Sequence, residues 1–191
     1  MLQKIKELFL NNLPYFRKFW VYQFVISLLG IMVTLPLSAF ISQHPQYAVF
    51  PYIIAIVFCG GMFCFLVYDI MYNLGAKDCI RVQSNKAPYE PLKGLHICLA
   101  AYIPTFVIVI FNFLFAIIGW GSGYTVTHVI LNMIIHAQYS GFMFLLPNSL
   151  GFIGDTVSVI FAPLFGFLGY YIGVHDKTLR GIFGIKVKRK K

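Results

Sequence analysis

Apolar residues in this chain come in long uninterrupted blocks, not in the alternating pattern of half-buried strands or the stripes of soluble amphipathic helices. Phe19–Ile41 runs for 23 residues without a charge. Ala48–Tyr68 follows and stays apolar toward Leu74, then Leu95–Trp120, then the shorter Val157–Val174. At the rise of an α-helix the first block extends about 34 Å, enough for a hydrocarbon layer about 30 Å thick. The pattern predicts an all-α integral membrane protein. It forms a single membrane domain over 1–191 with four transmembrane helices, at about 19–41, 48–72, 95–120 and 157–174.

A fifth stretch, 125–146, reads differently. Thr125, His128, Asn132, His136 and Ser140 recur at helical spacing on one face, with Val129, Ile130, Met133 and Ile134 around the rest. Such a stripe predicts an amphipathic helix lying on the outer face, or a re-entrant piece whose polar side meets protein or water. Pro147-Asn-Ser and Gly151 are expected to break it before the last span. Residues 1–18, with Leu2, Ile5, Leu8 and Phe9 among basic positions, predict a separate amphipathic segment on the cytoplasmic surface, not a secretory signal.

Charge orients the helices. The chain holds 15 Lys and Arg. Four precede the first span, four lie between the second and third, and seven follow the fourth, which accounts for all of them. The connections 42–47 and 121–156 carry none. With four spans this obeys the positive-inside rule and puts both termini in the cytoplasm. A full crossing by 128–146 would strand the basic tail 175–191 outside.

Composition agrees. The chain is 59% hydrophobic and 11% charged, with mean hydropathy +0.78, whereas soluble domains are nearer a quarter charged. The net charge of +9 is concentrated beside the spans. It suits anionic lipid headgroups, at about 1 kcal/mol per residue, and not nucleic acid. Cys59, Cys64, Cys79 and Cys98 form no C-x-x-C pair, which points to small apolar residues and not to zinc.

Two junctions share a register. Tyr72-x-x-Gly75-x-x-Asp78 and Tyr170-x-x-Gly173-x-x-Asp176 lie 98 residues apart, with Arg81 and Arg180 close behind. They suggest two helical hairpins, 1–94 and 95–191, repeated in parallel. Each junction also reads as a helix end: Tyr as interfacial anchor, Gly as C-cap, Asp as cap of a following short helix, Arg reaching lipid phosphate. Asp78/Arg81 beside Asp176/Arg180 would then form a cytoplasmic patch for docking or gating. The stretch "LGAKDCIRV" followed by "APYEPLKGL" resembles small bacterial multi-pass membrane proteins with a G-A-K-D-x-I-R-V cytoplasmic loop, a group without an assigned activity. The resemblance covers 68–105. It implies a bacterial cytoplasmic membrane and transfers no functional residue.

Small residues mark packing faces: Ala162, Gly166, Gly169 and Gly173 in the fourth span, Ser27, Gly30, Thr34 and Ser38 in the first, Gly60 and Cys64 in the second. Pro104 and Pro163 are candidate kinks. Polar residues inside spans are the first places to look for function. Asp69 is a candidate ion or proton site, or a partner of Lys77; Asn112 could bond across helices; Asp155 opens the fourth span as a cap. Tyr68-Asp69 and Gly154-Asp155 look like fragments of an aspartyl-protease pair, but the threading puts them near opposite faces, too far apart to share a proton. His128 and His136, two turns apart, do not make a metal site, and no P-loop, G-x-S-x-G or H-E-x-x-H occurs. The expectation is therefore a protein without catalytic residues, metal or cofactor. It is a component of a membrane complex, with a membrane-protein partner or a second copy of itself, or alternatively a small oligomeric transporter or channel; a membrane enzyme comes third.

Overall fold

The computed structural model describes residues 2–146 and 151–175, and every element among them is helical. Helix α1 spans Leu2–Gln43. After a short 3-10 turn, α2 (Val49–Ala55) passes through a π-helical turn, Ile56–Gly60, into α3, Gly61–Gln83. Helices α4 (Lys93–Ala101) and α5 (Ile103–Ile118) follow, then α6, Gly121–Ile130. A π turn at Leu131–Ile135 and a 3-10 turn at Ala137–Tyr139 lead to α7, Ser140–Leu145. Helix α8 covers Gly151–Val174. The stretches Asn12–Gln43, Val49–Gln83 and Ile153–Val174 are long and apolar enough to cross a membrane, and α4 with α5, bent by 59°, make a fourth if the pair counts as one.

Three expectations about boundaries need correction. Residues 2–18 are not a separate segment: they continue into the first span as one helix, because Pro14 and Pro36 are accommodated within α1 without ending it. The second span does not end at Gly75, and Asp78 caps nothing; both lie inside α3, where no residue has a positive φ. The stop comes ten residues later, at Asn85 (φ 55). The Lys86 N–H donates to the Arg81 carbonyl at 2.9 Å and the Asn85 N–H to the Val82 carbonyl at 3.0 Å. That is a Schellman ending with Asn in the left-handed position. Third, Asp155 is not a cap, since α8 begins four residues before it. The break expected at 147–150 lies outside the described residues, as does the tail from 176.

Glycine at the junction is needed for close approach. A Cβ on Gly75 would strike the Tyr170 carbonyl, and one on Gly173 would strike the Tyr72 carbonyl. A Cβ on Gly169 would strike the Tyr68 carbonyl. The partner numbers rise together, so α3 and α8 run parallel with their backbones in contact. The Gly75–Tyr170 and Gly173–Tyr72 contacts are reciprocal, as two copies of a parallel repeat would make them. Gly166 lets α4 approach as well, because a Cβ there would hit the Cys98 thiol. Around this pair sits the core of Phe16, Phe19, Phe63, Val67, Met71, Ile97 and Val159.

The predicted kink at Pro104 is present. Tyr102 adopts φ −90°, ψ 0° between α4 and α5. Pro104 has no N–H to offer the Ala100 carbonyl one turn back, and at the same bend Trp20 Nε1 donates to the Ala101 carbonyl at 2.8 Å. Pro163 lies within an unbroken α8.

Substituting Gly75 or Gly173 by Leu is expected to destabilise the chain itself, by about 1–3 kcal/mol or more. Unfolding temperatures in mild detergent would fall while the native mass stays as in the parent. A lower native mass with unchanged unfolding would instead assign these glycines to an interchain face.

Candidate functional site

Asp155 lies one turn into α8 and is completely buried, as are Asn112 on α5 and Ser158 one turn further on α8. A carboxylate in an apolar bundle costs several kcal/mol unless hydrogen bonds hold it. Asn112 Nδ2 donates to Asp155 Oδ2 at 2.9 Å, and His128 Nδ1 lies 2.8 Å from the same oxygen. Asn132 Nδ2 approaches Oδ1 at 3.4 Å. The amide oxygen of Asn112 lies 2.9 Å from Thr127 Oγ1, with the Nδ2 end toward the carboxylate, which can only accept. His128 stacks on Tyr124 with ring centroids 5.1 Å apart. Its side chain keeps 35% exposure, so the cluster has one titratable group open to the surroundings. Burial, and then the Asp155 charge, raise the Tyr124 phenol above its usual range.

The polar stripe of 125–146 thus faces protein, one of its two expected settings. Thr125 is the exception, exposed and bonded to its own helix at the Gly121 carbonyl. His128 and Asn132 meet Asp155, and His136 Nδ1 lies 3.2 Å from Ser158 Oγ. Beyond His136 the chain runs among other helices. The Ala137 N–H donates to Ser27 Oγ at 3.1 Å, and Gly30 gives room for the Ala137 and Gln138 backbone.

Ser158 and His136 do not form a nucleophile pair. The Ser158 hydroxyl lies 2.9 Å from the Asp155 main-chain carbonyl, to which it can donate, and 3.2 Å from His136 Nδ1. The Asp155 carboxylate orients His128, not His136. The relay that acyl transfer needs has a carboxylate behind the histidine that faces the serine, and here the carboxylate lies on the other histidine.

A second cluster sits where α3, α4 and α8 meet. Asp78, buried, pairs with Lys93 Nζ at 2.6 Å and accepts from the Tyr170 hydroxyl at 3.1 Å. Arg81 reaches it only at 3.7 Å with its side chain 65% exposed. Asp78 therefore ties the start of α4 and the end of α8 to α3. Tyr170, read from the sequence as an anchor, points its hydroxyl into the protein.

The remaining expectations divide. Asn112 is in the buried cluster. Asp69 is exposed on α3; its carboxylate accepts from Asn73 Nδ2 at 3.2 Å, not from Lys77. Tyr68 is level with Gly169, which puts Asp69 about 14 residues and roughly 20 Å along the pair from Asp155. No aspartyl dyad forms. Gly166, Gly169 and Gly173 all serve packing within the chain. Asp176 and Arg180 lie outside the described residues. Sequence reasoning missed Asp155 as the centre, together with Lys93 and Tyr170. The signal available was the stripe at 128, 132 and 136, which needed a polar partner on a neighbouring helix. Among the described residues no group of three or more His, Cys, Asp or Glu could hold a metal ion.

Comparison with protein-family models, with curated proteins and with solved structures finds no match to this chain.

Replacing Asp78 by Ala is expected to destabilise the protein by about 2 kcal/mol or more, since Lys93 and Tyr170 both lose their acceptor. A double-mutant cycle with Lys93→Ala should show coupling; additive effects on unfolding would remove the pair's structural role.

Proposed function

We propose that the protein is a small membrane transporter or channel in which Asp155 binds and passes a cation, most simply a proton. The observation that carries this is the complete burial of the Asp155 carboxylate with a half-exposed histidine as its partner. Such a group is expensive to maintain in a bilayer and marks an ion or proton path. The donor set selects the ion. Asn112 and Asn132 both turn N–H groups toward the carboxylate, so a metal cation would meet hydrogens where it needs oxygen ligands. A proton shared between Asp155 and His128 needs no such rearrangement.

In this reading α4 and α5 form one bent span, giving four, with both termini in the cytoplasm and 131–145 entering from the outer face as a re-entrant piece. The site then lies on the outer side of a bacterial cytoplasmic membrane, and the Asp78–Lys93 clamp on the inner side. The glycine faces that suggested a docking partner are occupied within the chain, which weakens the reading as a complex component. One observation still favours that second reading: Val21, Phe24, Val25, Leu28, Met32 and Leu35 are exposed along α1, a surface that suits lipid, a second copy or a partner. Nothing in the geometry favours an enzyme.

Proteoliposomes loaded with a pH-sensitive dye are expected to show proton flux that Asp155→Asn abolishes and Asp69→Asn leaves intact. Flux unchanged in Asp155→Asn would sink the proposal. For the threading, a Cys at Ser122 should label from outside intact cells and a Cys at Ser84 only after permeabilisation; the reverse pattern would invert it. Ser84 is preferable to the native Cys79, which is buried.

A further inference from the structure

A cavity of about 320 Å³ is lined by α1, the start of α5 and the end of the π turn at Leu131–Ile135. Trp20, Phe24 and Ile134 line it from exposed positions. Two polar side chains, Gln23 and Thr105, line the same space, and they are only 6% and 5% exposed. The cavity is therefore an apolar groove with buried polar groups at its base.

That base is short of acceptors. Gln23 Nε2 donates to Thr105 Oγ1 and to the Ile135 carbonyl, each at 3.4 Å, against about 2.9–3.0 Å for an ordinary N–H···O bond. The Ile135 carbonyl has a closer donor in Gln138 Nε2 at 3.0 Å. A buried amide held this loosely in apolar surroundings gains from a better acceptor. The group that fits is an accepting oxygen, as in a carbonyl or ester, on an apolar body that can lie against Trp20, Phe24 and Ile134.

The place of Gln23 along α1 identifies what carries that oxygen. Arg17 and Lys18 are exposed and are the last charges before 23 uncharged residues. They mark the headgroup level, with Gln23 roughly 8–9 Å further along the helix, at the depth of the ester linkages and first methylenes of a phospholipid. Arg17 shares a helical face with Trp20 and Phe24, three and seven residues on. Its guanidinium is suited to a phosphate, and residues 8–68 contain no acid to compete for it.

We infer that this groove binds one phospholipid of the surrounding bilayer. The acidic headgroup meets Arg17, an ester carbonyl accepts from Gln23, and the start of the acyl chain lies against Trp20, Phe24 and Ile134. The inference depends neither on Asp155 nor on which side of the membrane α1 begins.

Trp20 reports on the site directly. The chain has two tryptophans, so Trp120→Phe leaves Trp20 as the single fluorophore. The full chain is placed in phosphatidylcholine vesicles with a minor fraction of phosphatidylglycerol, and one lipid or the other carries bromine near its ester at equal content. Brominated phosphatidylglycerol is expected to quench Trp20 as if enriched about fivefold beside it, the worth of one basic residue at an anionic surface. Arg17→Gln should remove the enrichment. Lys18→Gln, about 100° round the helix, should leave it, and Gln23→Leu should reduce quenching by both lipids. Equal quenching by the two lipids, or equal losses in the Arg17 and Lys18 variants, would reduce the effect to general surface attraction and overturn the site. Unchanged quenching in Gln23→Leu overturns the ester contact; if that variant does not fold, the two exposed-site variants decide. Protection of Trp20 from both lipids with a doubled native mass would make the groove a contact between copies. Relief of quenching by a short-chain quinone would assign it to a small carbonyl ligand. Either result overturns the phospholipid.

Discussion

Backbone contact between α3 and α8 is the constraint on which the remaining packing depends. Gly75, Gly169 and Gly173 each meet a main-chain carbonyl of the other helix, so the two axes come closer than any side chain would allow. In lipid there is no hydrophobic gain from pressing two apolar helices together, and association comes from such close van der Waals contact and from polar bonds. The contact presents a broad two-helix surface. Helix α4 packs onto it through Gly166, and the Asp78–Lys93–Tyr170 cluster joins all three helices at one end.

The irregular elements occur where polar groups gather. The π turn at Leu131–Ile135 precedes His136, and the His136 N–H donates across it to the Leu131 carbonyl at 2.6 Å. One added residue in that turn shifts the following backbone out of α-helical phase. His128 and Asn132 meet Asp155, while Ala137 and Gln138 fold between α1 and the second π turn at Ile56–Gly60. The bend between α4 and α5 is a further break. In a bilayer, irregular backbone is tolerable only where protein or water satisfies it; Gln138 donates to the Ile135 carbonyl at one of these breaks and Trp20 to the Ala101 carbonyl at another.

Long-range order of the sequence predicted much of this and local detail less. Four apolar blocks and a polar-striped fifth segment are block-scale properties, dictated by bilayer thickness, and the helices follow them. Pro104 was legible as a kink because the missing N–H acts locally. Gly75 was misread because glycine has two uses, ending a helix or admitting a neighbouring one. Only the position of Tyr170, 95 residues later, tells them apart. Asp155 was misread for the same reason: an acid near a helix start looks like a cap until α5 and α6 place Asn112 and His128 on it. The reciprocity of Tyr72-x-x-Gly75 and Tyr170-x-x-Gly173 was visible as a repeat, though its consequence, two parallel helices in contact, needed the third dimension.

The two clusters differ in a way that bears on function. Around Asp78 the charge is matched: Lys93 neutralises it at 2.6 Å and Tyr170 adds a neutral donor. Such a pair fixes geometry. Around Asp155 the closest partners are two neutral amides and a histidine that is charged only when protonated. Its net charge therefore depends on proton occupancy, and the surrounding N–H groups hold the carboxylate in place in either state. Both clusters hang from α8, one at each end, so the rigid glycine-backed helix carries a fixed ion pair at one end and a titratable one at the other.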